Sequence, residues 1–478
     1  MNPMPEPPAQ QPKATRREWI GLAVIALPCV LYAMDLTVLN IAVPRMSEDL
    51  KPTSSQLLWI LDIYGFMVAG SLITMGNLGD RIGRRRLLMI GAAAFGVTSV
   101  VAAFSTSPGM LIAARALLGG VVLEYFWWGS VFLLGVPVMV LLLVVGPRLL
   151  PEFRDPEAEP VDIFSAVLSL VGVLLVIYGL KRVAEHGPEL PAFISVAAGV
   201  VVGVVFVRRQ PRLAHPLIDL RLFRSATFST ALATYLLGTF AVFGGFVFIA
   251  QYLQLVLGLQ PLQAGFWSLP SFGGFILASM IVPAITRKIP APQLIAGGLL
   301  MAAAGFGVLT QIDRAPPLIV IVIGSVLYSL GISPVFILAT DIIVGSAPIA
   351  RAGAASAISE TSSELGGALG IAILGSIGTA VYRARMAAAM PNGVPSDVRE
   401  IARGTLGGAT AVAERLPGQL GAALLGTARD AFTQAFVTTA VVNALLMVIT
   451  ALAATLMLRR APSSARAEIL PFPSGSKQ

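Results

Sequence analysis

Twelve long apolar runs dominate the chain and limit what it can fold into. Each approaches the roughly 20 helical residues that cross the hydrocarbon core of a bilayer. In hydrocarbon the backbone must satisfy its own hydrogen bonds, so such runs predict transmembrane helices. The expected fold class is an all-α polytopic membrane protein. The predicted spans are 19–43, 56–77, 87–105, 129–146, 162–180, 191–207, 226–250, 264–285, 291–311, 317–341, 353–381 and 432–458.

Composition excludes other classes of protein. Only 12% of the 478 residues are charged, about half of what soluble domains carry. The net charge of +8 comes from arginines in short loops, a pattern typical of membrane topology, so no nucleic-acid partner is expected. The single Cys29 allows no internal disulfide, and His186 and His215 lie in separate connections. We therefore expect no metal, no cofactor and no enzyme activity.

Arginine placement predicts the orientation. The basic loops at 81–86 and 208–224 should be cytoplasmic. Further arginines near both ends of the chain predict that both termini are cytoplasmic as well. An even number of crossings must then separate the two loops. The ambiguous stretch 107–126 should accordingly not cross fully. The alternative is that it spans and another segment fails to.

The loop GNLGDRIGRRR at 76–86 predicts a charged latch between helices. Its glycines permit close approach of two helix ends, and Asp80 can accept hydrogen bonds from Arg84 or from a neighbouring helix start. The alternative is that the arginines only set the topology. A weaker counterpart, VPAITRKIP at 282–290, indicates two six-span halves. The predicted latch residues are Gly76, Gly79, Asp80, Arg81, Gly83, Arg84 and Arg85.

Together with this loop, three stretches carry a family resemblance: MDLTVLNIAVP at 34–44, WILDIY at 59–64 and GAASAISETSSELGGALG at 353–370. The chain resembles the major facilitator superfamily, and more closely its fourteen-span drug:proton antiporter branch, including actinobacterial multidrug efflux pumps. The resemblance implies two six-helix halves, with the spans at 162 and 191 as an extra central pair.

One part of the chain departs from that family pattern. Arg115 matches the family's fourth-span arginine, but the glycine-proline motif GPxxGG of the fifth span is absent. Roughly fifty family residues are missing near residue 120, which leaves the N-terminal half incomplete and about twelve full spans. The loss of two crossings agrees with the even count required by the basic loops.

The predicted domain organisation follows from the spans and the resemblance. A cytoplasmic tail at 1–18 precedes an N-terminal bundle at 19–146, truncated at 107–126. The extra pair and a basic cytoplasmic loop occupy 147–225. The C-terminal bundle, 226–458, includes an outer loop of mixed charge at 383–431, and 459–478 forms a disordered cytoplasmic tail.

Acidic residues inside predicted spans are the site candidates, because charge at membrane depth is costly. Asp35 should hold a proton in one state and attract a cation in another; the alternative is an interfacial helix cap. Glu360 and Glu364 share one helical face, and their alternative is polar packing. The predicted proton-coupling residues are Asp35, Glu360, Glu364 and Arg115, and the predicted substrate-binding residues are Asp35, Asn40, Asp62, Tyr64 and Glu360.

The resemblance implies proton-coupled efflux of lipophilic, cationic drugs or dyes across the inner (plasma) membrane by alternating access. No GxxxxGK[ST] motif is present to supply energy from a nucleotide. The expected partners are the lipid bilayer, protons and small lipophilic molecules, and the expected state is a monomer. Two alternatives remain open: a transport-defective remnant, and an exporter of a metabolite, lipid or siderophore.

Overall fold

The computed structural model describes most of the chain, in two compact units divided between residues 161 and 162. The described residues are 15–27, 50, 60, 67, 74–75, 78–79, 81–115, 135–152, 162–186, 189–213, 216–218, 220–313, 317–347 and 352–458. All their regular structure is helical.

The first unit contains four described helices: α1 (16–27), α2 (Arg84–Ala103), α3 (Pro108–Arg115) and α4 (Gly135–Leu149). Helices α2 and α4 pack together, and Gly146 of α4 leaves room for the Met89 side chain. The guanidinium of Arg17 also donates to the carbonyl of Arg148. The small apolar core of this unit consists of Val24, Ala92, Met139, Leu142 and Leu150.

The second unit begins with a helical hairpin of α5 (Ile163–His186) and α6 (Leu190–Arg209). Glycines let the two helices touch: a β-carbon on Gly199 would lie 2.8 Å from the backbone nitrogen of Val176. The hydroxyl of Ser195 donates to the Leu175 carbonyl at 2.8 Å. In lipid, small residues and such hydrogen bonds take over from hydrophobic burial in holding helices together.

Eight further helices complete the second unit. They are α7 (Ala226–Gln251), which continues as a π-helical turn (Tyr252–Val256), α8 (Pro261–Ile285), α9 (Ala291–Leu309), α10 (Pro317–Gly345), α11 (Ala352–Ala389), α12 (Ser396–Gly404), α13 (Leu406–Ala413) and α14 (Gly418–Leu458).

Glycine contacts set the spacing within this bundle. A β-carbon on Gly370 of α11 would meet the Phe240 backbone of α7, and one on Gly305 of α9 would meet Tyr328 of α10. The core between these helices is apolar and continuous, and it includes the fully buried Phe306 and Phe436. Close helix contact therefore rests on glycine positions that tolerate no larger side chain.

The predicted spans agree closely with the helices. In the described part of the chain, nine helices are long and apolar enough to cross a membrane, and each coincides with a predicted span. A tenth predicted span, 129–146, corresponds to the fifteen-residue α4. The all-α polytopic fold class is confirmed. Residues 28–49, 116–134 and 459–478 lie outside the described residues.

Two helices run well past their predicted ends. Helix α11 has 38 residues and α14 has 41, whereas about 20 suffice for the hydrocarbon core. Both extend into the segment 383–431, where α12 and α13 form a small helical cap. Helix α11 ends before the turn at Pro391–Gly393, and α14 begins after Pro417. The first charged residues end neither helix, because charged side chains are favourable once a helix leaves the hydrocarbon.

Candidate functional site

Glu360 and Glu364 lie one turn apart on α11, both half-buried. At 1.5 Å per residue they stand about 12 and 18 Å beyond Ala352, the first described residue of the helix. The two carboxylates are near enough for their charges to act on one another. This places the predicted acidic pair inside a membrane-spanning segment of the second unit.

Tyr235 of α7 faces this acidic pair. Its hydroxyl lies near the side chains of Thr340 on α10 and Ser363 on α11, and Glu360 and Glu364 lie within electrostatic range of it. The side chain is 7% exposed. Three helices thus contribute polar groups to one place in the bundle.

Aromatic rings extend the site away from the acids. The ring of Tyr235 packs edge-on against Phe336 of α10, with centroids 5.1 Å apart and an interplanar angle of 82°. Phe336 in turn contacts Phe275 of α8 at 6.0 Å. Carboxylates beside aromatic faces are the combination that attracts a lipophilic cation, because the ring face carries negative charge density.

The helix contacts explain why these groups meet. Gly366 and Gly370 bring α11 against the backbone of α7 at Leu236 and Phe240. Tyr235 immediately precedes this contact in α7, so its side chain is held close to the turn of α11 that bears the acids. The hydroxyl of Thr239 bonds back to the Leu236 carbonyl at 2.8 Å and needs no partner from α11.

A separate small pocket lies further along the same bundle, between α7, α8 and α10, and its empty space of about 300 Å³ includes the part open to its surroundings. The hydroxyls of Ser271 and Ser329 bond to each other beside it, 2.6 Å apart. Its walls are largely aromatic and aliphatic, with three serine side chains. The lining residues are Phe246, Ile249, Trp267, Ser268, Ser271, Phe272, Ile321, Ser325 and Tyr328.

The basic loop of the first unit makes a contact that the sequence analysis did not anticipate. Arg85, the second residue of α2, pairs with Glu152 through Nε and Oε2 at 3.3 Å, and its backbone N–H donates to Oε1 at 3.1 Å. Its guanidinium also donates to the carbonyls of Pro147 and Leu150, at 3.2 and 3.1 Å. Glu152 follows a predicted span that ends on the same side of the membrane as the basic loop. This shared side is the sequence signal from which the contact between Arg85 and Glu152 could have been predicted.

The remaining predicted site residues are only partly described. Gly79, Arg81, Gly83, Arg84 and Arg85 belong to the described residues, and Arg115 is described for its place at the end of α3. The Arg115 side chain and the other predicted residues lie outside the description: Asp35, Asn40, Asp62, Tyr64, Gly76 and Asp80.

Membrane-spanning helices that converge on half-buried acids, hydroxyls and aromatic rings define a polytopic membrane transporter. The chain belongs to the Major Facilitator Superfamily, whose family model matches residues 25–122 and 116–371. The two matches overlap at 116–122, in the region where the sequence predicts a departure from the family pattern.

The similar proteins are efflux pumps and resistance proteins. The chain is 38% identical to the multidrug efflux pump LfrA of Mycolicibacterium smegmatis, over 94% of this chain and 98% of that one. It is 30% identical to the methyl viologen resistance protein SmvA of Salmonella typhimurium, over 87% and 93%. The alignment with LfrA runs over 498 positions, more than this chain has residues, so positions of LfrA lack a counterpart here.

A solved structure shows the same fold. A bacterial homologue of the human lysosomal transporter Spinster, in an inward-facing conformation, superposes with a TM-score of 0.52 at 16% identity and covers 93% of this chain and 98% of its own. The likeness to this structure shows the fold, and the identity with LfrA and SmvA supports efflux transport in general.

Proposed function

We propose that the protein exports lipophilic cations in exchange for protons. The observation that carries this proposal is that Glu360 and Glu364 lie within electrostatic range of Tyr235, whose ring packs against Phe336. A cation held there gains from the carboxylates and from the ring faces. SmvA is named for resistance to methyl viologen, an aromatic cation, which supports the same substrate class.

The proposed mechanism couples proton and cargo through competition for the acids. Two carboxylates one helical turn apart repel each other when both are charged, and a bound cation relieves that repulsion. A proton from the other side of the membrane relieves it equally and removes the attraction for the cation. Alternating access to the site then exchanges one for the other, with the proton gradient as the energy source.

We assign the remaining predicted residues supporting roles in this scheme. Asp35 is proposed as the proton carrier of the N-terminal bundle and Arg115 as an aid to proton transfer, with Asn40, Asp62 and Tyr64 as substrate contacts. The basic loop acts as the latch on the cytoplasmic side, with both termini cytoplasmic and the protein working as a monomer.

The experiment is ethidium efflux from proteoliposomes with an imposed proton gradient, with and without an uncoupler. Glu360→Gln, Glu364→Gln and Asp35→Asn should each abolish uncoupler-sensitive export.

Tyr235→Phe should keep uncoupler-sensitive export, because the ring is retained. Tyr235→Leu should weaken cation affinity roughly tenfold, which corresponds to about 1.4 kcal/mol. The matched control is Glu414→Gln, an exposed acid outside the site, which should export like the wild type. Equal export by wild type and both glutamate variants would overturn the proposal.

A second candidate function rests on the predicted departure from the family pattern near 116–122, where the two family matches overlap. A transporter that lacks two half-helices from one bundle has a gap that neighbouring groups must fill, and it can be inactive as a pump. Wild-type vesicles that bind ethidium but show no uncoupler-sensitive efflux would establish this alternative. Efflux of a neutral metabolite, lipid or siderophore but not of ethidium would assign a different cargo.

A further inference from the structure

A polar groove lies where α11 leaves the membrane, between the end of that helix and α12. The empty space between its walls is about 880 Å³, including the part open to solvent, and the described residues that line it include no apolar side chain. Three guanidinium groups and one carboxylate face it, so its side chains carry a net charge of +2. The lining residues are Arg383, Ser396, Arg399, Glu400, Arg403 and Gly404.

The groove has rigid walls. The hydroxyl of Tyr382 donates to the carbonyl of Ala402 at 2.8 Å, in a buried contact that fastens α12 to α11. Met386 and Ala402 are fully buried in the same seam. Arg383 follows Tyr382 directly, and Arg403 follows Ala402, so the two arginines stand on opposite walls of a fixed cleft.

The groove arginines form no ion pair with any side chain that the structure describes. Among the residues that the structure describes, Arg383, Arg399 and Arg403 form no ion pair, although Glu400 lines the same groove. Arg399 donates to the Val394 carbonyl at 3.1 Å, which holds its side chain along the wall. Three cations beside a single carboxylate leave a net positive charge, and a bound anion would reduce their mutual repulsion.

The position along α11 indicates which anion is available. From Ala352 to Arg383 the helix rises roughly 46 Å, close to the 40–45 Å of a whole bilayer with its headgroups. Arg383 therefore reaches the headgroup layer. Ile401, beside the groove on α12, leaves 52% of its surface exposed, as suits a side chain that meets the membrane. The groove thus opens where lipid phosphates lie.

We propose that this groove binds the headgroup of an anionic phospholipid that carries hydroxyl groups, such as phosphatidylglycerol. Arg383 and Arg403 donate to the phosphate oxygens, as charge-assisted hydrogen bonds. The hydroxyl of Ser396 adds a neutral donor. Glu400 accepts from the headgroup hydroxyls, and its charge discriminates against anions that lack such donors.

The test is lipid binding to the purified full-length protein, by native mass spectrometry in a titration of phosphatidylglycerol against a phosphatidylcholine background. The groove variant is Arg383→Gln with Arg403→Gln. The matched control is Arg385→Gln with Arg415→Gln, which removes the same charge from exposed positions outside the groove. Each arginine that contacts the lipid phosphate is worth roughly fivefold in affinity, so the groove variant, which loses two such contacts, should bind about twenty-five-fold more weakly. The control should bind like the wild type.

Further arms separate the sources of the anion and guard against unfolding. Inorganic phosphate and glycerol phosphate at millimolar concentration should not displace the lipid. Glu400→Gln keeps every arginine and should reduce the preference for phosphatidylglycerol over phosphatidic acid. Equal weakening in both double variants, displacement by free phosphate, or an unchanged preference in Glu400→Gln would each overturn the proposal. None of these readouts depends on transport.

Discussion

Glu152 lies against Gly83, and its carboxylate fills the space that a β-carbon at residue 83 would need. Gly83 has a φ of +106° and precedes the first turn of α2, which the same carboxylate caps through the Arg85 N–H. One glycine therefore permits both an unusual backbone turn and the approach of the end of α4. The acidic partner of the basic loop is supplied from about seventy residues away.

Gly83→Ala should destabilise the first unit. A side chain is strained at this φ, at a cost on the order of 1–3 kcal/mol. Its β-carbon would also lie 2.7 Å from Cδ of Glu152, and moving that side chain breaks both of its bonds to Arg85. Thermal unfolding in detergent should show a midpoint lower by several degrees. Gly91→Ala, where a β-carbon meets nothing within 4 Å, is the control; an equal loss there would refute the explanation.

Arg85→Lys should weaken the same contact while keeping the charge. The guanidinium of Arg85 reaches Glu152 and two backbone carbonyls at once, and an ammonium cannot reproduce that fork. The ion pair is about one-third exposed, so we expect a loss of about 1 kcal/mol or less. Arg86→Lys, at an exposed position on the same turn, should change nothing. If the two lysine variants unfold alike, the loop arginines serve topology alone.

The spans could be predicted because hydrocarbon imposes length and polarity on each helix separately. The placement of Glu360 and Glu364 on one face followed from helical periodicity, which is likewise a property of a single helix. Tyr235 and Phe336 were not predicted: they lie on other helices, and only the packing of α7, α10 and α11 brings them to the acids.

The cap formed by α12 and α13 was missed for a different reason. Charges from Arg383 onward marked the end of the span, but a helix can continue in water until a residue such as Gly393 or Pro417 ends it. The latch prediction selected Asp80 and Arg84 as partners from their closeness in the chain. In the structure the acidic partner of Arg85 is Glu152, which lies too far along the chain for local spacing to reveal it. The predicted role of Asp80 stays a prediction.

Gly370→Ala should disrupt the seam between α7 and α11 that holds the site together. A β-carbon there would lie 2.9 Å from the carbonyl carbon of Phe240, and backbone cannot move aside as a side chain can. Overpacking of this kind costs about 1–3 kcal/mol. Gly375→Ala on the same helix meets nothing within 4 Å and should be neutral. The thermal midpoint and the ethidium affinity should both fall in Gly370→Ala. An unchanged ethidium affinity would show that the site does not depend on the contact between α7 and α11.

Asp162→Asn should reveal a pH-dependent contribution to the stability of the α5–α6 hairpin. The Ser165 hydroxyl, at 2.7 Å, has the largest effect and lowers the pKa of Asp162; burial opposes it, and the Arg209 guanidinium, at 2.9 Å, lowers the pKa further. A lowered pKa stabilises the folded state above the ordinary aspartate value, and the contribution is lost as the pH falls through the folded value.

The wild type should therefore unfold at a higher temperature than Asp162→Asn above about pH 5, and the gap should close below about pH 4. Arg209 is partly exposed, so the gap should correspond to about 1 kcal/mol or less. Asp430→Asn changes an exposed carboxylate and should track the wild type at every pH. A gap between wild type and Asp162→Asn that persists undiminished at pH 3 would mean that packing of the side chain, and not its charge, stabilises the start of α5.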